Sequence, residues 1–268
     1  MGTRILSALI LAPLVLGIIL YGGNLGMLLL LLVVAPLMAL EWQGFVAGEK
    51  WRDGAVLSFG IWGLLTLAYD DKLAWSGGWL FLWSALLLAA LTIAYRGADQ
   101  PHTPFLALGK AVMGLIYIGI PLQLLLVIHG LQQGSGWVMM ILFIMWGTDS
   151  GAYFAGRFFG TAKLAPHVSP KKTWQGFWGG LAIGTAAGVG IALALGLQLA
   201  LSLLIVTSLF LSLAGQLGDL VESLMKRQAG IKDSGNIIPG HGGLLDRLDS
   251  LIYTAPPFYL ILMAAGVA

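Results

Sequence analysis

Apolar residues run in long blocks through this chain, and polar residues are gathered into short breaks between them. About 20 apolar residues carry a helix across a bilayer. Blocks of that kind lie at roughly 5–22, 25–40, 55–69, 79–95, 111–129, 136–158, 176–197, 199–224 and 248–266, which predicts an all-α polytopic membrane protein with about nine transmembrane helices. The second and third blocks are short, so tilted or partly interfacial helices are expected there. Charge tests the count. With Arg4 and the N-terminus in the cytoplasm, 13 of the 14 basic residues fall in inside loops and only Lys72 lies outside. Lys and Arg concentrate on the cytoplasmic side of membrane proteins. A miscount of one span upstream would destroy this alternation, so nine spans and an N-in, C-out orientation support each other.

Composition agrees. Of 268 residues, 58% are hydrophobic and 10% charged, against about 25% charged in soluble domains, and the mean hydropathy is +0.89. There are no cysteines, which excludes disulfides, thiolate metal sites and cysteine nucleophiles. A net charge of +2 gives no case for nucleic acid as a partner. The first block lacks a clear small-x-small cleavage site and reads as a retained anchor.

The first 110 residues read as scaffold. Glu41, Glu49, Lys50, Arg52 and Asp53 form a mixed-sign stretch expected to be a solvated surface. His102 sits in a turn-rich linker and His129 at a span end, which reads as interfacial. Trp62, Trp75, Trp79 and Trp83 read as interface and packing aromatics. From Ala111 to Thr148 no charged residue occurs.

Residues 111–268 differ in character. Asp149 lies about two turns inside the basic end of the sixth block, where a carboxylate needs a partner, a metal or a water-filled cavity. A structural ion pair with a neighbouring helix is the ordinary alternative. Next comes Ser169-Pro-Lys171-Lys172-Thr173, where hydroxyls, two ammonium groups and a helix N-terminus suit phosphate; attraction to anionic headgroups would explain the lysines equally well. Gly176, Gly180, Gly184 and Gly188, spaced by four, predict a close helix crossing. Asp219, Glu222, Ser223 and Lys226 share one helix face. Glu222 and Lys226 read as an ordinary pair on an exposed helix end, whereas Asp219 sits on the membrane side of that end, as Asp149 does. The loop from Lys232 to Gly243 carries glycine turns whose N–H groups could nest an anion. Asp246 and Asp249 then open the last span, as caps, as metal ligands, or as both.

Asp149, Asp219, Asp246 and Asp249 are thus expected to converge at the cytoplasmic end of three helices, beside two basic loops. Carboxylates with phosphate-binding loops suggest a hard cation bridging a phosphorylated substrate. No Walker loop and no Gly-x-Ser-x-Gly elbow is present. The residues point to metal-dependent phosphoryl or nucleotidyl transfer at the membrane boundary, with one lipid substrate.

The run Ser223-Leu-Met-Lys226-Arg227, then Lys232-Asp233, then Pro239-Gly-His241-Gly242-Gly243-Leu-Leu-Asp246-Arg247-Leu-Asp249 resembles the signature of the phosphatidate cytidylyltransferase (CDP-diacylglycerol synthase) family. Ser169–Thr173 and the segment Asp149-Ser-Gly-Ala-Tyr-Phe-Ala-Gly-Arg157 are also similar to that family. The resemblance covers about the last 125 residues. It implies that CTP and phosphatidate react with Mg²⁺ to give CDP-diacylglycerol and pyrophosphate; a second cation is compatible with it. It implies metal ligation by Asp219, Asp246 and Asp249, with Asp149 as a further candidate. Catalytic contacts are expected from those aspartates with Lys226 and Arg227. Substrate contacts are expected from Ser169, Lys171, Lys172, Thr173, Ser223, Lys232, Asp233, His241, Gly242, Gly243 and Arg247. The site would face the cytoplasm from a bacterial-type inner membrane, in a monomer or a homodimer. A polyprenol kinase lacks the His-Gly-Gly and Asp-Arg-x-Asp elements. An ion-coupled transporter would also bury Asp149 and Asp219, but the inverted repeats common in that class are not seen. The Asp-Gly-x-x-Ala-Arg start of CDP-alcohol phosphotransferases is absent.

Overall fold

A computed structural model describes the backbone of residues 2–45, 50–70, 76–94, 103–237 and 242–267, and the side chains within them apart from residues 2–8, 10, 50–53, 94 and 103–105. The described residues are almost all helical: α1 Gly2–Tyr21, α2 Gly23–Phe45, α3 Lys50–Tyr69, α4 Ser76–Ala94, α5 Thr103–Gly114, α6 Ile120–Gly130, α7 Gly134–Phe159, α8 Trp174–Ala194, α9 Leu201–Gln228 and α10 Leu245–Ala264. A π-helical stretch, Leu115–Gly119, joins α5 to α6. A helix thus covers each of the nine apolar blocks. Six described segments are long and apolar enough to cross a membrane: Gly23–Phe45, Ser76–Ile93, Leu106–Gly130, Gly134–Phe159, Trp174–Ala194 and Leu201–Gln228. The described apolar parts of α1 and α3 are shorter, and α10 opens with two aspartates. The protein is a polytopic helical membrane protein.

The chain between α7 and α8 is not a plain loop. Lys163–Ala165 (β1) pairs antiparallel with Ser169–Thr173 (β2), Lys163 opposite Thr173 and Ala165 opposite Ser169. Thr173 then caps α8, its Oγ1 accepting from the Gly176 N–H at 3.1 Å, which satisfies one of the donors a helix start leaves free.

The glycine stripe of α8 does what its spacing predicts. A Cβ on Gly176 would lie 2.8 Å from the Ala152 carbonyl, one on Gly180 3.0 Å from that of Thr148, and one on Gly184 would strike the Thr148 hydroxyl. Gly151 of α7 faces the Gly179 carbonyl in return. The two backbones cross nearly in contact, as small residues permit. Trp79 Nε1 donates to the Gly60 carbonyl and Trp62 Nε1 to that of Leu32, so these act as packing aromatics; Trp75 and His102 lie outside the described residues.

Two groups of polar contacts lie toward opposite ends of the bundle. At one end His129 of α6 contacts the Ile19 carbonyl of α1 at 2.9 Å and Ser135 of α7 at 3.3 Å, with Asn24 of α2 at 3.4 Å. His129 is 6% exposed, so it is a buried tie between helix ends and not the interfacial residue expected. Gln133 joins the same end to the turn after α8 through Gly196 and Gln198. At the other end lie the β-hairpin, the C-termini of α2 and α9, and the start of α10.

Candidate active site

At that second end a cavity of about 350 Å³ opens between α7, the hairpin, α8 and α9. Asp149 and Arg157 reach it from α7, Lys171 and Lys172 from β2, and Asp219 from α9. Helix geometry explains the α7 pair: residues eight apart return to one face after about two turns. That spacing could have marked Arg157, which the sequence reading did not single out. Its Nη1 donates to Tyr153 Oη at 2.6 Å. Lys172 Nζ lies 2.6 Å from Asp219 Oδ2, and Ser223 Oγ donates to Asp219 Oδ1 at 3.4 Å. Thr173 also lines the cavity; as a cap its oxygen accepts, which leaves the O–H free to donate. Gln216 and Ser250, equally unforeseen, complete the polar lining. Ser169 sits at the far end of β2 from Thr173, opposite Ala165.

A second polar cluster lies between α9 and α10. Lys226 Nζ is 2.6 Å from Asp246 Oδ1 and 3.5 Å from Glu222 Oε2. Asp246 Oδ2 accepts from the N–H groups of Ser234 at 2.9 Å and Gly243 at 3.1 Å. Asp246 precedes the predicted last span. Burial alone would raise its carboxyl, but the Lys226 ammonium and the two N–H groups outweigh that and hold it below the usual carboxylate range. Asp249, one turn on, is 8% exposed and accepts from the Ser250 N–H at 2.6 Å. Glu222 corrects the sequence reading. It is 1% exposed, so it is no solvated pair for Lys226, whose shorter bond goes to Asp246. Neither Glu222 oxygen has a hydrogen-bond partner among the described residues.

The remaining candidates lie around these two clusters, Arg247 close enough to act electrostatically on Asp149. Arg227 is exposed and donates to the Val168 and Ile231 carbonyls, tying the hairpin to the end of α9. Lys232, Asp233 and Arg247 are exposed. Gly242 has φ +85°, a left-handed conformation that favours glycine. His241, with Pro239 and Gly240, lies outside the described residues.

Glu41 is the largest departure from expectation. It is 4% exposed, not solvated, and lies at the C-terminal end of α2 against the start of α10. Oε1 accepts from the Leu244 N–H at 2.9 Å, and Oε2 from the Leu245 N–H at 2.7 Å and the Ser234 Oγ at 3.2 Å. The Gly243 N–H, at the end of the loop expected to nest an anion, and the N–H groups of Leu244 and Leu245 after it are therefore engaged by the protein's own carboxylates.

The donor set was tested for magnesium. Asp149, Asp219 and Asp249 are close enough to act on one another electrostatically, but Asp246 is turned to Lys226. Among the described residues no three acidic or histidine side chains form a group able to hold one ion. The chain does not build an all-protein cage there. Magnesium commonly takes only one or two carboxylates, with waters and substrate phosphates completing the shell. Asp219 on the cavity wall and the buried Asp249 fit that pattern.

Carboxylates, lysines and an arginine thus line one cavity of a helical membrane protein. Residues 2–265 match the model of the cytidylyltransferase family. The chain is 39% identical over 279 residues to the phosphatidate cytidylyltransferase of Pseudomonas aeruginosa, covering 98% of this chain and 97% of that one. To that of Staphylococcus saprophyticus it is 33% identical over 267 residues, covering 98% and 99%. To that of Bacillus subtilis it is 41% identical over 179 residues, covering 66% of each. The chain belongs to the cytidylyltransferase family and is a nucleotidyltransferase.

Proposed function

We propose that the enzyme transfers the cytidylyl group of CTP to phosphatidate, releasing pyrophosphate and leaving CDP-diacylglycerol in the membrane. The observation that carries this reading is the cavity. It puts Arg157, Lys171 and Lys172 opposite Asp149 and Asp219 at the end of transmembrane helices, where a headgroup and a soluble nucleotide can meet. An oxygen of the phosphatidate monoester forms a bond to the α-phosphorus of CTP, and the bond from that phosphorus to the β-phosphate bridge breaks in line. The attacking oxygen is already anionic, so no general base is required. The protein's work is to hold two anions together and offset their repulsion. Arg157, Lys171 and Lys172 bind phosphate oxygens, and Thr173 adds a hydroxyl donor at the α8 N-terminus. The Lys172–Asp219 pair keeps both groups in place before substrate enters, and Lys172 exchanges its carboxylate for a phosphate on binding. Asp219 and Asp249 would hold Mg²⁺, which would supply charge neutralisation. Residues 111–268 carry this chemistry, facing the cytoplasm, and the earlier helices support it.

The test is a purified-protein assay with CTP and phosphatidate, diacylglycerol or polyprenol as acceptor. The expected result is CDP-lipid and pyrophosphate in equal amounts with phosphatidate alone. Phosphorylated diacylglycerol or polyprenol with release of CDP would assign a kinase instead.

A further inference from the structure

We infer that Glu41 is a positioning residue for the reaction, holding residues 234–235 and 243–249 against α9 so that Asp246, Lys226 and Asp249 stand in register with the cavity. Three donors converge on its two oxygens: the N–H groups of Leu244 and Leu245 and the hydroxyl of Ser234. The arrangement calls for the ionised form, because a carboxylate only accepts while a protonated acid or an amide must also donate. A negative charge is favourable at that place, since the free N–H groups of a helix start carry partial positive charge. The packing leaves no slack. A Cβ on Gly235 would lie 2.6 Å from Glu41 Oε1, and one on Gly243 would lie 2.8 Å from Oε2 and strike Ser234 Oγ. Both glycines therefore let the loop close around this one carboxylate.

The loop so held does two further things. Its Ser234 and Gly243 N–H groups fix Asp246 Oδ2, and Asp246 Oδ1 fixes Lys226. Glu41 thus acts on the site through Asp246 without touching the cavity. By filling the α10 N-terminus with an anion of the protein's own, it also leaves Arg157 of α7 and Lys171 and Lys172 of the hairpin as the place for substrate phosphates. A residue of α2, in the half of the chain that looks chemically silent, is thereby part of the catalytic geometry. This rests on the reading that the α9–α10 cluster serves cytidylyl transfer.

The test compares wild type, Glu41→Gln and Glu41→Asp in detergent. Amide hydrogen exchange is followed at residues 243–248, with steady-state kinetics and melting temperature on the same preparations. Gln must turn its NH₂ toward at least one of the converging donors. The expected result for Glu41→Gln is exchange at 243–248 faster by tenfold or more and unchanged elsewhere. kcat should fall at least tenfold, with KM for both substrates within threefold, because the phosphate wall is intact. Glu41→Asp, which keeps the charge, should recover part of kcat. Unchanged exchange at 243–248 in Glu41→Gln would overturn the clamp. Faster exchange with wild-type kcat would overturn the positioning role. A variant too unstable to purify is replaced by Ser234→Ala, which removes one donor and should raise exchange at 243–248 in the same direction; no change there would equally overturn the clamp. If wild type itself forms no CDP-lipid, the proposed function fails, and exchange still decides whether Glu41 holds the loop.

Discussion

Lys172 and Asp219 meet at 2.6 Å with 26% and 36% of their side chains open. A pair that accessible contributes about 0–1 kcal/mol to stability. In transfer between two polyanions, each missing charge costs far more, and about 2.7 kcal/mol is a hundredfold in rate. Asp219→Asn and Lys172→Gln are therefore expected to melt within about 3 °C of wild type, the shift that order of energy gives, while losing at least a hundredfold in turnover. Melting and CTP turnover measured on the same preparations check this, and near-normal turnover in either would remove the pair from the site. Asp246 differs in kind, because its bonds to Lys226 and two N–H groups contribute to folding. Its folded carboxyl lies below the ordinary value, so the native state binds that proton less readily than the unfolded chain. The stabilisation is complete above the unfolded value of about 3.9 and is lost as pH falls through the lower folded one. Asp246→Asn should cost about 2 kcal/mol, the size of a charged hydrogen bond. The gap in melting temperature from wild type should hold steady from pH 7 to about 5 and close below about pH 4. A gap that persists into acid would show that these bonds do not depend on charge. Asp219 could be singled out in the sequence because charge at the membrane side of a helix end stands out locally, whereas Lys172 lies in a basic loop that headgroups would explain as well. Glu41 could not be singled out, because its partners lie about 200 positions on and its near neighbours in sequence are charges of mixed sign.

Among elements, the helices were legible because a run of apolar residues is a local property. The crossing of α7 and α8 was half legible: the period of four named the face of α8, while its partner face on α7 has only two glycines, Gly147 and Gly151, at that spacing, too short a run to be singled out. The β-hairpin was not foreseen, since strands of three and five residues give too little alternation to read. Nor did sequence show that a single-turn π stretch interrupts α5–α6. The crossing predicts its own mutants. A side chain on Gly184 meets Thr148 Oγ1, Ser212 Oγ and the Ile144 carbonyl, and overpacking costs about 1–3 kcal/mol. Thr148 neighbours Asp149, so the shift that relieves the clash displaces the cavity wall. Gly184→Val should lower the melting temperature by several degrees and reduce turnover with it. Gly190→Ala on the same helix, where nothing lies within 4 Å of the new atom, should leave both unchanged. Equal effects at the two positions would mean that helix propensity, not the crossing, governs α8.

At the scale of the whole molecule, the polar ties gather mainly toward two ends, with a few such as Trp62 to Leu32 and Thr148 to Ser212 between them. His129, Gln133 and the turn after α8 lie at one; Glu41, the hairpin and the α9–α10 cluster lie at the other. That sorting is what alternating traverses produce, since helices entered from one face must leave by the other. It does not say which end meets the cytoplasm. We propose the orientation that charge favours: in the nine-span count with Arg4 inside, 13 of the 14 basic residues fall in inside loops, and basic loops remain on the cytoplasmic side. CTP is a soluble anion made in the cytoplasm, so the proposed reaction requires the same orientation. The chain has no native cysteine, so single replacements report without background. Gln228 is exposed at the end of α9, and Gln132 is exposed in the turn before α7 at the opposite end. A membrane-impermeant maleimide added to intact bacterial cells should label Gln132→Cys and leave Gln228→Cys untouched until the cells are broken. The reverse pattern would place the cavity outside, away from CTP, and would remove both the orientation and the reaction that depends on it. Labelling of both from outside would mean that the two ends share one face, and would break the alternation on which nine traverses rest.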